Sequence, residues 1–190
     1  MVIPGYPRAA AILGSVFSHQ YMVHFGSNMG LLWIFGTRLH DQIGRGDFLA
    51  LYVSSGVIGA FFSMCCYVLR GVLISSHLGA SGAVCGIMGA FCWINKDMEV
   101  PISFLAEGQT LPKYSTLAFA GLLTLLEFRQ IRMAKKGVAV LSDSYAHLAG
   151  WGTGIAAGEL IRRNMEAQQK EKQMQGTLMV KNPSKADALT

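Results

Sequence analysis

Ser81 stands at the head of an apolar, glycine-paved run, Leu78-Gly79-Ala80-Ser81-Gly82-Ala83-Val84-Cys85-Gly86-Ile87-Met88-Gly89. A serine hydroxyl becomes a nucleophile when a base lies within hydrogen-bond reach, so Ser81 is a candidate for covalent chemistry. The ordinary reading of an isolated Gly-x-Ser-Gly is a serine capping a core helix. Other polar groups must therefore accompany Ser81 before it can be assigned any chemistry. His19, His24 and Asn28 interrupt one otherwise apolar stretch, and His147 heads a series His147, Gly150, Gly154, Gly158 at spacings of three and four. Positions four apart share a helical face, so His24 and Asn28 lie together, whereas His19 falls about 140° away from His24 on a helix that begins at Ser18. The His147 stripe and the Gly82-x-x-x-Gly86 stripe are both of the small-xxx-small kind that lets helix backbones approach closely. Docking one on the other brings His147 to Ser81. Packing alone explains the glycines, but it does not explain a histidine at the head of the stripe.

The elements that position these groups are membrane-like. Hydrophobic residues make up 52% of the 190 residues, charged residues 14%, and 22 are glycine, with a positive mean hydropathy. That composition predicts an all-α polytopic membrane domain and excludes an ordinary soluble globule. The net charge of +5 is spread over loops and tail without a basic block interleaved with aromatics, so no nucleic-acid partner is expected. Cys65, Cys66, Cys85 and Cys92 fall inside apolar segments without Cys-x-x-Cys spacing and read as buried free thiols.

Five spanning helices are expected: 18–39, 48–69, 82–95, 114–131 and 143–161. Residues 1–17 form a Pro- and Gly-punctuated lead-in, interfacial or re-entrant. Residues 38–47 form a polar loop, residues 132–142 a basic loop, and 162–190 a polar, disordered tail. The third helix is only about 14 residues, ~21 Å by helix rise, against a hydrocarbon core of ~30 Å. Ser81 then lies roughly 10 Å below one surface, a depth tolerable only in a cavity or within protein. Spanning helices alternate in direction, so the beginnings of the first, third and fifth share one side of the bilayer. His24, Asn28, Ser81 and His147 therefore converge in one half of the membrane.

At these residues the chain resembles the rhomboid family of intramembrane serine proteases. His19-Gln20-Tyr21-Met22-Val23-His24-Phe25-Gly26-Ser27-Asn28 matches its His-x4-His-x3-Asn pattern, Gly79-Ala80-Ser81-Gly82 its nucleophile motif, and Ala146-His147-Leu148-Ala149-Gly150 its second catalytic motif. The Leu-Gly-Ala-Ser-Gly-Ala run and an Asp four residues before His147 are most similar to the mitochondrial presenilin-associated rhomboid-like branch. The resemblance implies a Ser81–His147 dyad, with His24, Asn28 and the Ser81 backbone N–H stabilising the oxyanion. It also implies structural roles for His19, Gly79, Gly82, Gly150 and Gly154. Asp143 invites a third catalytic role, but Ser142-Asp143-Ser144 is cap-rich sequence and the family works as a dyad, so a helix N-cap is expected there.

The resemblance thus implies a multi-pass protein of the mitochondrial inner membrane that hydrolyses peptide bonds in or near transmembrane segments of other proteins. No cofactor and no metal are expected, since no acidic ligand stands near His19, His24 and His147 and these face different ways. Two rivals belong to other classes. One is a catalytically impaired rhomboid-like protein that binds transmembrane segments without cleaving them, against which intact Ser81 and His147 argue. The other is a small transporter, for which an acidic residue near mid-membrane would be expected, and none stands out. Two departures from the family pattern are present. Its core has six spanning helices where five are visible here, so a further span upstream of Met1 is expected. After Leu39 the family commonly has Glu, where this chain has His40.

Overall fold

The computed structural model describes residues 9–19, 21–71, 79–101, 109–136 and 143–181, and these are mostly helical. Leu78 of the glycine-rich motif, Gln20, the ends of the chain at 1–8 and 182–190, residues 72–78 and 102–108, and residues 137–142 of the expected basic loop lie outside the described residues. The helices are α1 (Ala9–Ser15), α2 (Met22–Leu31), α3 (Thr37–Leu69), α4 (Ser81–Ile94), α5 (Ser115–Lys135) and α6 (Ser144–Lys181), with a π-helical turn at Leu32–Gly36 joining α2 to α3. Two short antiparallel strands, β1 (Val100–Pro101) and β2 (Thr110–Leu111), pair between α4 and α5.

The polar segment expected as a loop at 38–47 is helical except at Gly44, whose φ of 81° and ψ of 167° break α3 into two arms. A continuous helix would separate residues 36 and 48 by ~18 Å. Instead the Phe48 ring lies 3.5 Å from where a β-carbon on Gly36 would sit, and it meets the His40 ring edge-on at 5.7 Å between centroids. The chain therefore turns back on itself at this glycine, which alone tolerates the positive φ without strain. A single glycine makes the turn for which a ten-residue loop was expected.

α4 lies at the centre. It is apolar all round, the mark of a helix enclosed by others, and Ala83, Ile87 and Ala90 have no exposed surface. The second arm of α3 and α6 cover it on two sides, and Phe35 of the π-turn packs between Phe91 and Phe119, at 5.5 and 5.7 Å between ring centroids. The described end of the lead-in, residues 9–17, packs into the core at Val16. Val16 is 1% exposed, its backbone carbonyl accepts a hydrogen bond from the Tyr52 hydroxyl at 3.1 Å, and it fills a notch at Gly56 that a β-carbon would close.

Among the described residues, one helical stretch, Met22–Leu69, is long and apolar enough to cross a membrane, and Ser81–Ile94 is a shorter apolar helix. Length and composition of the described helices thus identify one span and do not by themselves establish the five that were expected. α5 carries Glu127, Arg129, Arg132 and Lys135, and α6 is polar beyond Ile161. Nor do residues 162–181 form the expected disordered tail: α6 runs on to Lys181. Ion pairs at helical spacing support the first turns of this extension, with Arg163 Nε 2.6 Å from Glu159 Oε1 and Arg162 Nη1 2.7 Å from Glu166 Oε1.

Candidate active site

Ser81 is the first residue of α4, following Gly79 at φ 155°, a backbone region that side chains rarely adopt. A β-carbon on Gly79 would also stand 3.1 Å from Ser81 Oγ and 3.2 Å from His24 Cε1. The turn is thus open because residue 79 has no side chain. It is tied down from the other side, since the Ala80 amide donates to the Ser18 carbonyl at 3.1 Å. The amides of the first helical turn have no intrahelical acceptor and carry the positive end of the helix dipole, which suits a developing negative charge beside Ser81.

His147 reaches Ser81 because α4 and α6 cross in backbone contact. A β-carbon on Gly150 would collide with the Gly82 carbonyl, one on Gly154 with the Gly86 carbonyl, and one on Gly158 would lie 3.1 Å from Ala90 Cα. Gly82 faces the Ala146 carbonyl in the same seam, at 3.4 Å from its β-carbon position. At the head of that crossing His147 Nε2 lies 2.8 Å from Ser81 Oγ. On the other edge of the ring, Nδ1 lies 2.9 Å from Glu127 Oε1, and the two side chains are only 12% and 13% exposed.

Asp143 is placed otherwise. Its Oδ1 accepts the Ala146 backbone N–H at 3.2 Å, the geometry of an N-cap of α6, and its Oδ2 accepts the Ser63 hydroxyl at 2.6 Å. The acid that meets His147 is the one on α5. Sequence reasoning passes over Glu127, inside the expected span 114–131, and so finds no acidic residue standing out near mid-membrane. A signal exists nonetheless: Glu127 is the only acidic residue in α5, whose other charges are all basic.

His24 and Asn28 share a face of α2 and line, with Ser81, Glu127, His147 and Trp151, a cavity of about 700 Å³. Asn28 is buried, and its Nδ2 has no hydrogen-bond partner among the described residues, so it is an unpaired donor on the cavity that Ser81 also lines. His19 precedes α2 and is not part of it, because the helix begins at Met22. The facing angle from a helix begun at Ser18 does not apply. Its ring meets those of His24 and Phe25 edge-on, at 5.7 and 5.0 Å between centroids. Among the described residues, no group of three or more His, Cys, Asp or Glu side chains is placed to hold a metal ion.

Taken as chemistry, the arrangement offers a hydroxyl, a base on it, an acid behind the base and two further polar donors around one cavity. A family model described as the Rhomboid domain matches residues 7–164. Among curated proteins, the chain is 31% identical to "Rhomboid protein 1, mitochondrial" of Saccharomyces cerevisiae, over 85% of this chain and 44% of that protein. It is 33% identical to "Presenilin-associated rhomboid-like protein, mitochondrial" of Rattus norvegicus, over 82% and 40%. It is 29% identical to "RHOMBOID-like protein 6, mitochondrial" of Arabidopsis thaliana, over 79% and 43%. The chain thus spans less than half the length of these relatives. No solved structure matches it.

Proposed function

The chain belongs to the rhomboid family, and from that premise we propose that it is an intramembrane serine endopeptidase using Ser81 as nucleophile and His147 as general base. The observation that carries the reading is the 2.8 Å approach of His147 Nε2 to Ser81 Oγ at the wall of a cavity of about 700 Å³. Ser81 Oγ bonds to the carbonyl carbon of the scissile peptide while its proton passes to Nε2. The Asn28 amide, the His24 ring and the Ser81 backbone N–H donate to the resulting oxyanion. As the C–N bond breaks, Nε2 returns the proton to the departing nitrogen, leaving an acyl-enzyme. A water then adds to the ester carbonyl while its proton passes to Nε2, and as the C–O bond to Ser81 breaks Nε2 returns that proton to Oγ, which releases the acid and restores the serine. Side-chain donors of this kind contribute about 2.7–4 kcal/mol each in serine hydrolases.

In this reading the two arms of α2–α3, the apolar α4, α5 and the first half of α6 cross the bilayer as five spans, and the substrates are transmembrane segments of other proteins. The names of the relatives support a mitochondrial membrane as the place of action, and the resemblance points to the inner one. The arrangement of Ser81 and His147 supports cleavage over mere binding of such segments, because a binding role needs neither group at hydrogen-bond distance from the other. A fluorophosphonate probe applied to membranes holding the protein tests the assignment. Ser81 is expected to be the acylated residue, identified by peptide mass, and Ser81→Ala protein to carry no label. Equal labelling of the Ser81→Ala protein would remove Ser81 from the chemistry and leave the binding reading in its place.

A further inference from the structure

We propose that Glu127 turns the Ser81–His147 pair into a triad, as the positioning residue that holds His147 with its proton on Nδ1. The inference rests on the reading of Ser81 as nucleophile and deepens it. His147 is bridged at both ring nitrogens: Glu127 Oε1 lies 2.9 Å from Nδ1 and Ser81 Oγ lies 2.8 Å from Nε2. The three groups come from three helices, α5, α6 and α4, so no local sequence constraint put them in line. Both Glu127 and His147 are largely shielded, at 13% and 12% exposure. A carboxylate inside a membrane domain is costly unless paired, and intramembrane acids mark function more often than packing.

The chemistry is set by what each group can donate. A neutral imidazole has one N–H and one acceptor nitrogen, whereas an ionised carboxylate only accepts. Glu127 at Nδ1 therefore fixes the N–H on that side and leaves the Nε2 lone pair for the Ser81 proton. When Ser81 Oγ bonds to the substrate carbon and its proton moves to Nε2, the imidazolium stands against a negative charge at its other edge. Glu127 takes up no proton at any step; the proton on Nε2 leaves on the departing amine nitrogen. Asp143 is used differently: its two oxygens accept the Ala146 amide and the Ser63 hydroxyl, whereas the carboxylate at hydrogen-bond distance from Nδ1 is that of Glu127.

Gln is the informative substitution, since it keeps the shape of Glu but can present an NH2 to Nδ1 and so favour the opposite tautomer. With the full chain in lipid bilayers, Glu127→Gln is expected to slow fluorophosphonate labelling of Ser81 by roughly 10²- to 10⁴-fold, and Glu127→Asp to recover at least part of that loss. In 15N-histidine-labelled protein, with the His147 signals identified by their absence from His147→Phe, the parent should show a protonated Nδ1. Glu127→Gln should show that proton displaced to Nε2, a change that a merely structural role would not cause. Labelling of Glu127→Gln at the parent rate, or an unchanged His147 tautomer in that variant, would overturn the triad and leave the dyad standing. Undiminished labelling of Ser81→Ala would instead sink the underlying reading, so the two failures are separable.

Discussion

A methyl group on Gly154 would collide with the carbonyl oxygen of Gly86. Backbone therefore touches backbone where α6 crosses α4, one turn below the level at which Gly150 meets Gly82. The position of His147 is a consequence of this crossing, and moving the helices apart would carry its ring away from Ser81.

Gly154→Ala is accordingly expected to destabilise the fold by ~1–3 kcal/mol, the usual range for overpacking, and to reduce Ser81 labelling although no polar group has changed. Gly152 lies on the outer face of the same helix with nothing near its β-carbon position. Gly152→Ala should stay within about 0.5 kcal/mol of the parent. Thermal unfolding in detergent and labelling rate, measured on both variants, check the pair.

The second expectation concerns the turn before the nucleophile. Gly79→Ala places a β-carbon at φ 155°, 3.1 Å from Ser81 Oγ and 3.2 Å from the His24 ring. Labelling should fall at least ~10-fold, while the melting temperature moves little, because the strain is confined to a site turn. A parent-like labelling rate would show that the turn has more freedom than its geometry implies.

The seam and its two polar ends are legible in the sequence because they obey helical spacing. Gly82 and Gly86 recur at four, His147, Gly150, Gly154 and Gly158 at three and four, and a pattern on each helix suffices to face them. Glu127 is not legible in that way. Its partner lies twenty residues off on another helix, and nothing within α5 says which face turns inward. The hairpin at Gly44 escapes for a different reason, since polar residues at 38–47 read as a loop whether the backbone unwinds or stays helical up to one glycine. The helical extension past Arg162 has its signal in the pairs Glu159–Arg163 and Arg162–Glu166. Composition suggests disorder, but the spacing of four supplies pairs that favour helix.

A third expectation separates the two acids near His147. Asp143→Asn preserves an N-cap acceptor for the Ala146 amide and should retain most of the labelling, whereas Asp143→Ala should lose ~0.5–2 kcal/mol of stability. Equal collapse of labelling in Asp143→Asn and Glu127→Gln would mean that Asp143 shares in the chemistry and is more than a cap.

A fourth tests the oxyanion donors. Removing the amide in Asn28→Ala should lower kcat by ~10²–10³ with KM little changed, because the donor acts on charge that exists only in the transition state. A rise in KM with kcat intact would assign Asn28 to substrate binding.

The central claim is hydrolysis of a peptide bond within a membrane by Ser81 and His147. The most direct measurement reconstitutes the purified chain in lipid vesicles with a tagged single-span protein and weighs the products by mass spectrometry. The account predicts two fragments whose masses sum to that of the substrate plus one water, formed by the parent and absent with Ser81→Ala and with His147→Phe. Fragments formed equally well by the Ser81→Ala protein would contradict it.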